Sequence, residues 1–576
     1  MKNIFKKNYL ILVCLLFLFL GFQSCETTNL DVTDNPNNVS ANTADIDLYL
    51  NSIQIGLANF ISGYEGGAES GMSELGMRPV RMLHGNSNTY RDFYAPSEFD
   101  NVWGTAYSNI LIDIREMTTL ALGQKKYTHV AIGQIVESYV MMTLVDFFGD
   151  VPYSEACQGL LYPNPKTDSG ASIYKAVDLL LLDAIENLEK DEFALPSNDL
   201  YYSSDSSEEN WIKVAKTMRL KLYLQTRLAT GTEFGSAKSK TVIDELIADD
   251  NLILSSSEDF LFKWSSNAAA PDSRHPYFEK CFGGIGPSSN FYMANYYMDL
   301  MANKYPGNRD PRIRYYFYRQ SGDFSNANVV TKSCSTQDAP AWYGTEYNFC
   351  TVPSTNGLSG YWGRDHGDND GIPPDDRERT LFGVYPVGGE FDKSGFENLS
   401  SSDAPSIGLK GAGITPILMS SFTNFMLAEA SLTLGTSGDP LAYLEAGMRE
   451  SITKTMDFGA SVAKGNSRIP DATAINNYVA AVKDAYINGD DSTKLEIIVQ
   501  QYFIALWTNG IEAYNTYRRT GKPGKLQPTV KLQDPGVFIR SNWYPQSAES
   551  NNSNITQKTG VTNPVFWDTN PEGFVD

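Results

Sequence analysis

Apolar positions recur every three or four residues along several stretches of this chain, the spacing that puts them on one face of a helix. In "YTHVAIGQIVESYVMMTLVDFFGDVPY", Ile132, Val136, Tyr139 and Thr143 step by 4, 3 and 4 until Gly149 and Pro152 end the pattern. "ASIYKAVDLLLLDAIENLEK" does the same through Ile173, Val177, Leu181, Ala184 and Leu188. In "NWIKVAKTMRLKLYLQTRL", Trp211, Ala215, Met218 and Leu222 share a face. Further on, "SSFTNFMLAEASLTLG" and "PLAYLEAGMRESITK" read as a helix pair split by "GTSGDP". "KLEIIVQQYFIALW" and "IEAYNTYRR" form another pair, hinged at Asn509-Gly510. No strand-type alternation runs as long. The pattern predicts a mainly α scaffold of helix–turn–helix pairs.

Residues 251–415 depart from it. They are dense in Gly, Pro, Asn, Asp and aromatics, hold Trp264, Trp342 and Trp362, and show helical spacing only near Tyr292–Ala302. Long irregular stretches inside a compact chain are where binding loops tend to sit. Residues 521–576 also have loop composition.

The amino terminus has its own pattern. Lys2, Lys6 and Lys7 precede the apolar run Tyr9–Phe22, about 14 residues and short of the roughly 20 that cross a bilayer as a helix. A positive start, a short apolar core and a small residue, Ser24, read as an export signal, and Cys25 follows at once. The arrangement resembles a bacterial lipoprotein signal, which implies cleavage before Cys25 and acyl chains on its thiol and amine. Two or more acyl chains anchor a protein stably where one does not. "ETTNLDVTDNPNNVSANT" is then a polar tether. The expected layout is a signal over 1–24, a lipid-anchored tether over 25–43 and one domain over 44–576.

Charge narrows the choice of partners. The chain of 576 residues carries −22, and losing residues 1–24 removes three lysines and no acid, which brings it to −25. So acidic a chain is a poor fit to nucleic acid, and its membrane attachment should come through the lipid rather than through surface charge. Tyrosine, at 33 residues, leads an aromatic share of 12%, enough for stacking platforms as well as a large core. Of the cysteines left after Cys14 and Cys25, Cys157, Cys281, Cys334 and Cys350, only Cys334 and Cys350 lie close enough in sequence to suggest a disulfide.

Signatures of catalysis are missing. There is no G-x-S-x-G, H-E-x-x-H or G-x-x-x-x-G-K-[ST], and "GAGITP" has Pro416 where a dinucleotide fingerprint needs its third glycine. The densest polar cluster, "GRDHGDNDGIPPDD", offers Asp365, Asp368, Asp370, Asp375 and Asp376 as oxygen ligands of the kind calcium takes. With Gly371 set at the sixth position of an EF-hand loop, however, His366 and Arg377 fall where carboxylates belong. The favoured reading is a tight turn in which Arg364 and Arg377 neutralise the acids, and no cofactor is expected.

Several strings taken together point to a family. "TLVDFFGDVPYSEA", "ENWIKVAKTMRLKLYLQTRL", "NRDPRIRYYF" and the late pair ending in "RRTGKP" resemble, in order, the marks of SusD/RagB-like nutrient-binding outer-membrane lipoproteins of Bacteroidetes. "WYPQSAESNNSN" matches the closing element more loosely, with Ala548 where an acid is common. The resemblance implies a helical scaffold with tetratricopeptide-like pairs and a loop-rich half that receives ligand. It also implies a SusC-like TonB-dependent transporter as partner, and capture of an oligosaccharide or peptide rather than catalysis. A surface glycan-degrading enzyme and a helical-repeat adaptor without a small ligand are the other readings.

Recognising a flexible oligomer calls for rigid flat faces and a few orienting polar groups. "APAWYGTEY" offers Trp342 and Tyr343, and "GMRPVRMLHGNSNTYRDFY" offers Arg78, Arg81 and Tyr90. Trp362 is a further candidate, equally suited to burial beside the turn at Arg364. For each aromatic the competing reading is a place in a local core.

Overall fold

The computed structural model describes residues 45–575 apart from 65–69, 85–89, 91–94, 191–195, 197, 203–206, 232, 283–291, 321–337, 351–359, 369–378, 397–398, 400–405 and 532–536. Cys25 and the tether lie outside the described residues. Ile46–Asp576 forms one compact unit.

The longer helices are α1 (Ile46–Ser62), α2 (Ile112–Gly123), α3 (Tyr127–Phe148), α4 (Gly170–Leu188), α5 (Ser207–Gln225) and α6 (Ser236–Asp249). After the irregular region come α7 (Ser420–Leu434), α8 (Pro440–Ala463), α9 (Ala472–Ile487), α10 (Asp491–Ala505) and α11 (Gly510–Thr520). Successive members pack on each other: α2 on α3, α3 on α4, α4 on α5, α5 on α6, α7 on α8, and α8, α9 and α10 mutually. Burial of an apolar face drives each pairing.

Local chemistry sets the ends. Ser169, Asp439, Asp471, Asp490 and Asn509 cap α4, α8, α9, α10 and α11 by accepting a first-turn N–H through their side chains. Helix α3 is apolar enough to cross a bilayer by composition, but its apolar window is 94% buried, so it is the core helix. It stops at Gly149, φ 77, a conformation that favours glycine. The following "GDVPYSEA" folds Val151–Pro152 antiparallel to Thr167–Asp168, and Asp168 accepts the N–H groups of Tyr153 at 3.1 Å and Ser154 at 2.7 Å.

The "RRTGKP" arginines do more than complement a helix end. Both point into the core. Arg519 grips Glu429 with two bonds of 2.8 Å, and Arg227 reaches the same carboxylate at 3.3 Å. Arg518 lies over the rings of Tyr514 (3.9 Å) and Trp567 (4.7 Å) and donates to the Arg540 carbonyl at 2.7 Å. Asp146, from the end of α3, accepts from Asn515 at 2.6 Å, from Trp567 Nε1 at 2.8 Å and from the Tyr174 hydroxyl. These buried bonds tie the carboxy-terminal segment to the helical core.

Residues 251–415 are irregular with short exceptions. The region is closed off by β1 (Phe260–Lys263) pairing antiparallel with β2 (Ile414–Leu418). Further two-residue pairs join Leu83–His84 to Tyr292–Met293 and Phe317–Tyr318 to Leu381–Phe382. Helix Asn295–Asn303 matches the segment expected near Tyr292–Ala302. Cys350 is disulfide-bonded, and its expected partner Cys334 lies outside the described residues. Cys157 and Cys281 are free.

Candidate ligand-binding site

A cavity of about 750 Å³ opens where the early loop, the acidic turn and the carboxy-terminal segment meet. Arg81, Tyr90, His366, Thr529, Phe538 and Arg540 are among the residues that line it. Its size lies within the roughly 300–1,000 Å³ range of ligand clefts.

The walls are pinned from behind. Arg81 has φ 61, a left-handed conformation that side chains rarely adopt and that costs on the order of 1–3 kcal/mol. Its guanidinium donates to Gln527 O at 3.0 Å, to Pro79 O and to the Tyr90 hydroxyl, and sits 5.3 Å from the centre of the Tyr90 ring. That ring in turn lies 5.3 Å from His366 and 5.8 Å edge-on from Phe538. Burial, with Arg81 and His84 nearby, pushes the His366 imidazole well below its ordinary range, so it is neutral at pH 7. Arg540 is held by Asp568 at 2.6 and 2.9 Å and by the Asn570 carbonyl at 2.8 Å. The wall is an aromatic–histidine surface between two fixed guanidinium groups.

Of the acidic turn, His366 lines the cavity. The Asp368 N–H closes on Asp365 O at 3.0 Å, and the Asp368 carboxylate is 3.6 Å from Arg364. Asp365 is buried and accepts from Gln527 at 2.5 Å, Asn295 at 3.0 Å and the Cys350 N–H at 3.4 Å. Asp370, Asp375, Asp376 and Arg377 lie outside the described residues. Among the described residues no group of three or more His, Cys, Asp or Glu is placed to hold a metal ion.

Burial outweighs the donors around Asp365 and raises its carboxyl from 3.8 to about 6. The native state therefore keeps this proton at pH values where the unfolded chain has lost it. The stability this gives is full below about 3.8 and is lost as pH rises through about 6. Relative to wild type, Asp365→Asn is expected to gain on the order of 3 kcal/mol between pH 4 and pH 7. Urea unfolding of both proteins at the two pH values measures the gap; a gap that does not change with pH contradicts this.

The expected site residues divide. Arg81 and Tyr90 line the cavity. Trp342 is 41% exposed on the turn Ala341–Tyr343, and its indole donates at 3.0 Å to the carbonyl of Thr529, a cavity residue. Arg78 does not line the cavity; it pairs with buried Glu74. Tyr343 is not the exposed platform its loop setting suggests. It is 1% exposed, its hydroxyl donates to Pro528 O at 2.7 Å, and its ring packs on Tyr347 and Phe349. Trp362 is also buried; its N–H donates to the Thr380 hydroxyl at 2.6 Å and its carbonyl accepts the Thr380 N–H at 2.8 Å. Both supply core where a ligand face was expected. The residues the sequence reading missed, Thr529, Phe538, Arg540 and the 562–575 stretch, come from a segment with nothing but loop composition to mark it.

Family models match most of the chain. One described as "Starch-binding associating with outer membrane" matches residues 36–343, and one described as "Susd and RagB outer membrane lipoprotein" matches residues 393–563. The chain belongs to the SusD-like family. Solved structures of SusD-like proteins share its fold at low identity. A chitin-binding protein is 20% identical, covers 91% of this chain and 100% of its own, and superposes with a TM-score of 0.65. A chitin-binding SusD homologue from Flavobacterium johnsoniae is 19% identical, with coverage of 91% and 99% and a TM-score of 0.63. A SusD/RagB family protein from Bacteroides thetaiotaomicron is 17% identical, with coverage of 92% and 100% and a TM-score of 0.64. No curated protein matches the chain. Its mainly helical, SusD-like architecture agrees with the expectation from sequence.

Proposed function

We propose that this SusD-like chain is a lipid-anchored surface protein of the outer membrane. It captures an oligosaccharide in the cavity beside Trp342 and hands it to a SusC-like TonB-dependent transporter. The observation that carries the reading is the cavity itself: a pinned aromatic wall of Tyr90, His366 and Phe538, flanked by two fixed arginines, with a half-exposed tryptophan hydrogen-bonded to its edge. Sugar C–H faces pack on rings, while Arg81 and Arg540 are buried and bonded within the protein.

Binding without hydrolysis fits the lining. A glycosidase needs two positioned carboxylates, and Glu572 is the one carboxylate among the described residues that line this cavity. The chitin-binding relatives make N-acetylglucosamine oligomers the first ligands to try, with peptides as the alternative. Trp342→Ala is expected to weaken glycan binding by about 1–3 kcal/mol while leaving the melting temperature nearly unchanged. Calorimetry beside a thermal melt separates the cases. Normal binding with a much lower melting temperature would make Trp342 a core residue and end this assignment.

The lipoprotein signal supports anchoring through Cys25. Cys25→Ala is expected to move the protein out of the detergent phase and release it from outer membranes. A variant that partitions like wild type would contradict the anchor. Purification from native membranes in mild detergent is expected to bring a large β-barrel with the lipid-anchored chain, and its consistent absence would count against the transporter.

A further inference from the structure

The segment that lines the cavity beside Trp342 lines another as well. Pro528 and Thr529 belong to the first cavity, and Gly524, Lys525 and Gln527 belong to a second of about 340 Å³. Gln527 serves both: it lines the second, and its carbonyl accepts from Arg81 of the first at 3.0 Å. One short turn links them again. The N–H groups of Glu346 and Tyr347 both donate to Tyr343 O at 3.2 Å, so the turn that carries Trp342 also brings Glu346 and Tyr347 to the second cavity. Trp342 bonds Thr529 O and Tyr343 bonds Pro528 O, which ties this turn to the shared segment.

Several polar groups of the second cavity already have partners. Glu496 accepts the Gly524 N–H at 2.9 and 3.0 Å and lies 3.2 Å from Lys522. Asp299 accepts from the amides of Asn303 at 2.7 Å and Asn348 at 3.0 Å. Gln527 donates to Asn348 O at 2.9 Å. Gln500 differs. It lines the cavity, is 2% exposed, and its side-chain carbonyl oxygen Oε1 has no hydrogen-bond partner. The hydroxyls of Tyr296 and Tyr347, which line the cavity too, have none among the described residues. An acceptor buried without a donor costs the fold stability, and one that lines a cavity can be met by what enters it.

The uncommitted groups suit a polyhydroxylated ligand. Gln500 Oε1 accepts only, whereas the two tyrosine hydroxyls can donate or accept. Tyr347 adds a half-buried ring, steadied 5.9 Å from that of Tyr343. Hydroxyl donors for the amide oxygen and C–H faces for the ring are what a sugar unit supplies.

We propose that the cavity lined by Gln500, Tyr296 and Tyr347 is a second saccharide subsite, so that one oligosaccharide chain spans it and the cavity beside Trp342. The proposal rests on the glycan-capture reading and adds to it the reach of the site along the ligand.

The test is calorimetric titration of the purified full-length protein with the dimer and the hexamer of three neutral series: N-acetylchito-, malto- and xylo-oligosaccharides. Wild type is expected to bind the hexamer of at least one series about tenfold more tightly than its dimer. Gln500→Met and Tyr347→Phe should each weaken hexamer binding about fivefold and leave dimer binding unchanged. Neither change removes a hydrogen bond made within the protein, so both variants should melt close to wild type. Trp342→Ala, by contrast, should weaken dimer and hexamer alike. A hexamer bound no more tightly than the dimer, or hexamer binding unchanged in both Gln500→Met and Tyr347→Phe, overturns the subsite and leaves its cavity to water. A loss of binding confined to Trp342→Ala would keep the capture reading standing and remove this subsite. Failure of every glycan to bind folded wild type would remove both.

Discussion

Glu429→Ala is expected to lower the stability of the fold by about 3–5 kcal/mol, the scale of leaving buried charge without its partner. The carboxylate is fully buried, bound by two bonds of 2.8 Å to Arg519 and one contact of 3.3 Å to Arg227. Removing it strands two guanidinium groups in the core, one from the end of α11 and one from the turn after α5. Burial alone would raise the Glu429 carboxyl above 4.5, but the two arginines outweigh burial and hold it below. The stability it contributes is therefore present above pH 4.5 and lost as pH falls through its lowered native value. Chemical denaturation at pH 7 and at progressively lower pH measures both effects. Replacing the triad together, with Glu429→Leu, Arg519→Leu and Arg227→Met, should recover most of the loss, since well-packed apolar groups often match a buried ion network. A single variant within about 1 kcal/mol of wild type would show that water or neighbouring groups satisfy the arginines.

Asp146→Ala should be at least as damaging. This fully buried carboxylate accepts from the Trp567 indole, the Asn515 amide and the Tyr174 hydroxyl, and lies 3.9 Å from buried Lys221. Each donor left unmade in the interior costs about 1–3 kcal/mol, so a loss above about 4 kcal/mol is expected. Asp146→Asn keeps an acceptor for Trp567 and should lose less. Equal effects of the two variants would make charge, rather than the hydrogen bonds, the larger contribution. Trp567 belongs to the segment that also supplies Asp568, the partner of Arg540 in the cavity wall. Weakening the Asp146 centre should therefore loosen the ligand site as well as the core.

Much of the scaffold is legible because its apolar positions repeat at helical spacing, whether a helix buries one face, as α4 and α8 do, or is buried nearly all round, as α3 and α11 are. The helical spacing through α3, α4 and α5, the pair α7–α8, and the helices α10 and α11 stand out, with breaks at Gly149 and Asn509-Gly510 where the chain turns; α11 packs on the short helix Met72–Met77. Helix α1 is less plain because Leu48 and Ile55 are exposed on it and blur the stripe. Strands β1 and β2 escaped notice because "FLFK" and "ITPIL" are short, largely buried runs without alternation.

The candidate site was less legible. The loop composition around Tyr343 suggests exposure, yet its hydroxyl bonds Pro528 O and the ring is buried. Local composition carries no trace of a contact between residues 185 positions apart. The same holds for the Arg81–Gln527 and Trp342–Thr529 bonds, which join the early and middle loops to the carboxy-terminal segment. The arginines of "RRTGKP" stand at a helix end, where positive charge is expected, and the burial of Arg519 depends on Glu429, 90 residues away.

The most direct measurement is a calorimetric titration of the purified protein with a length series of neutral oligosaccharides, run on wild type and Trp342→Ala in parallel. Saturable binding that strengthens with chain length and drops by about 1–3 kcal/mol in the variant is the expected result. Absence of binding to every glycan by folded wild-type protein, or binding that Trp342→Ala leaves intact, would contradict capture in the cavity beside Trp342.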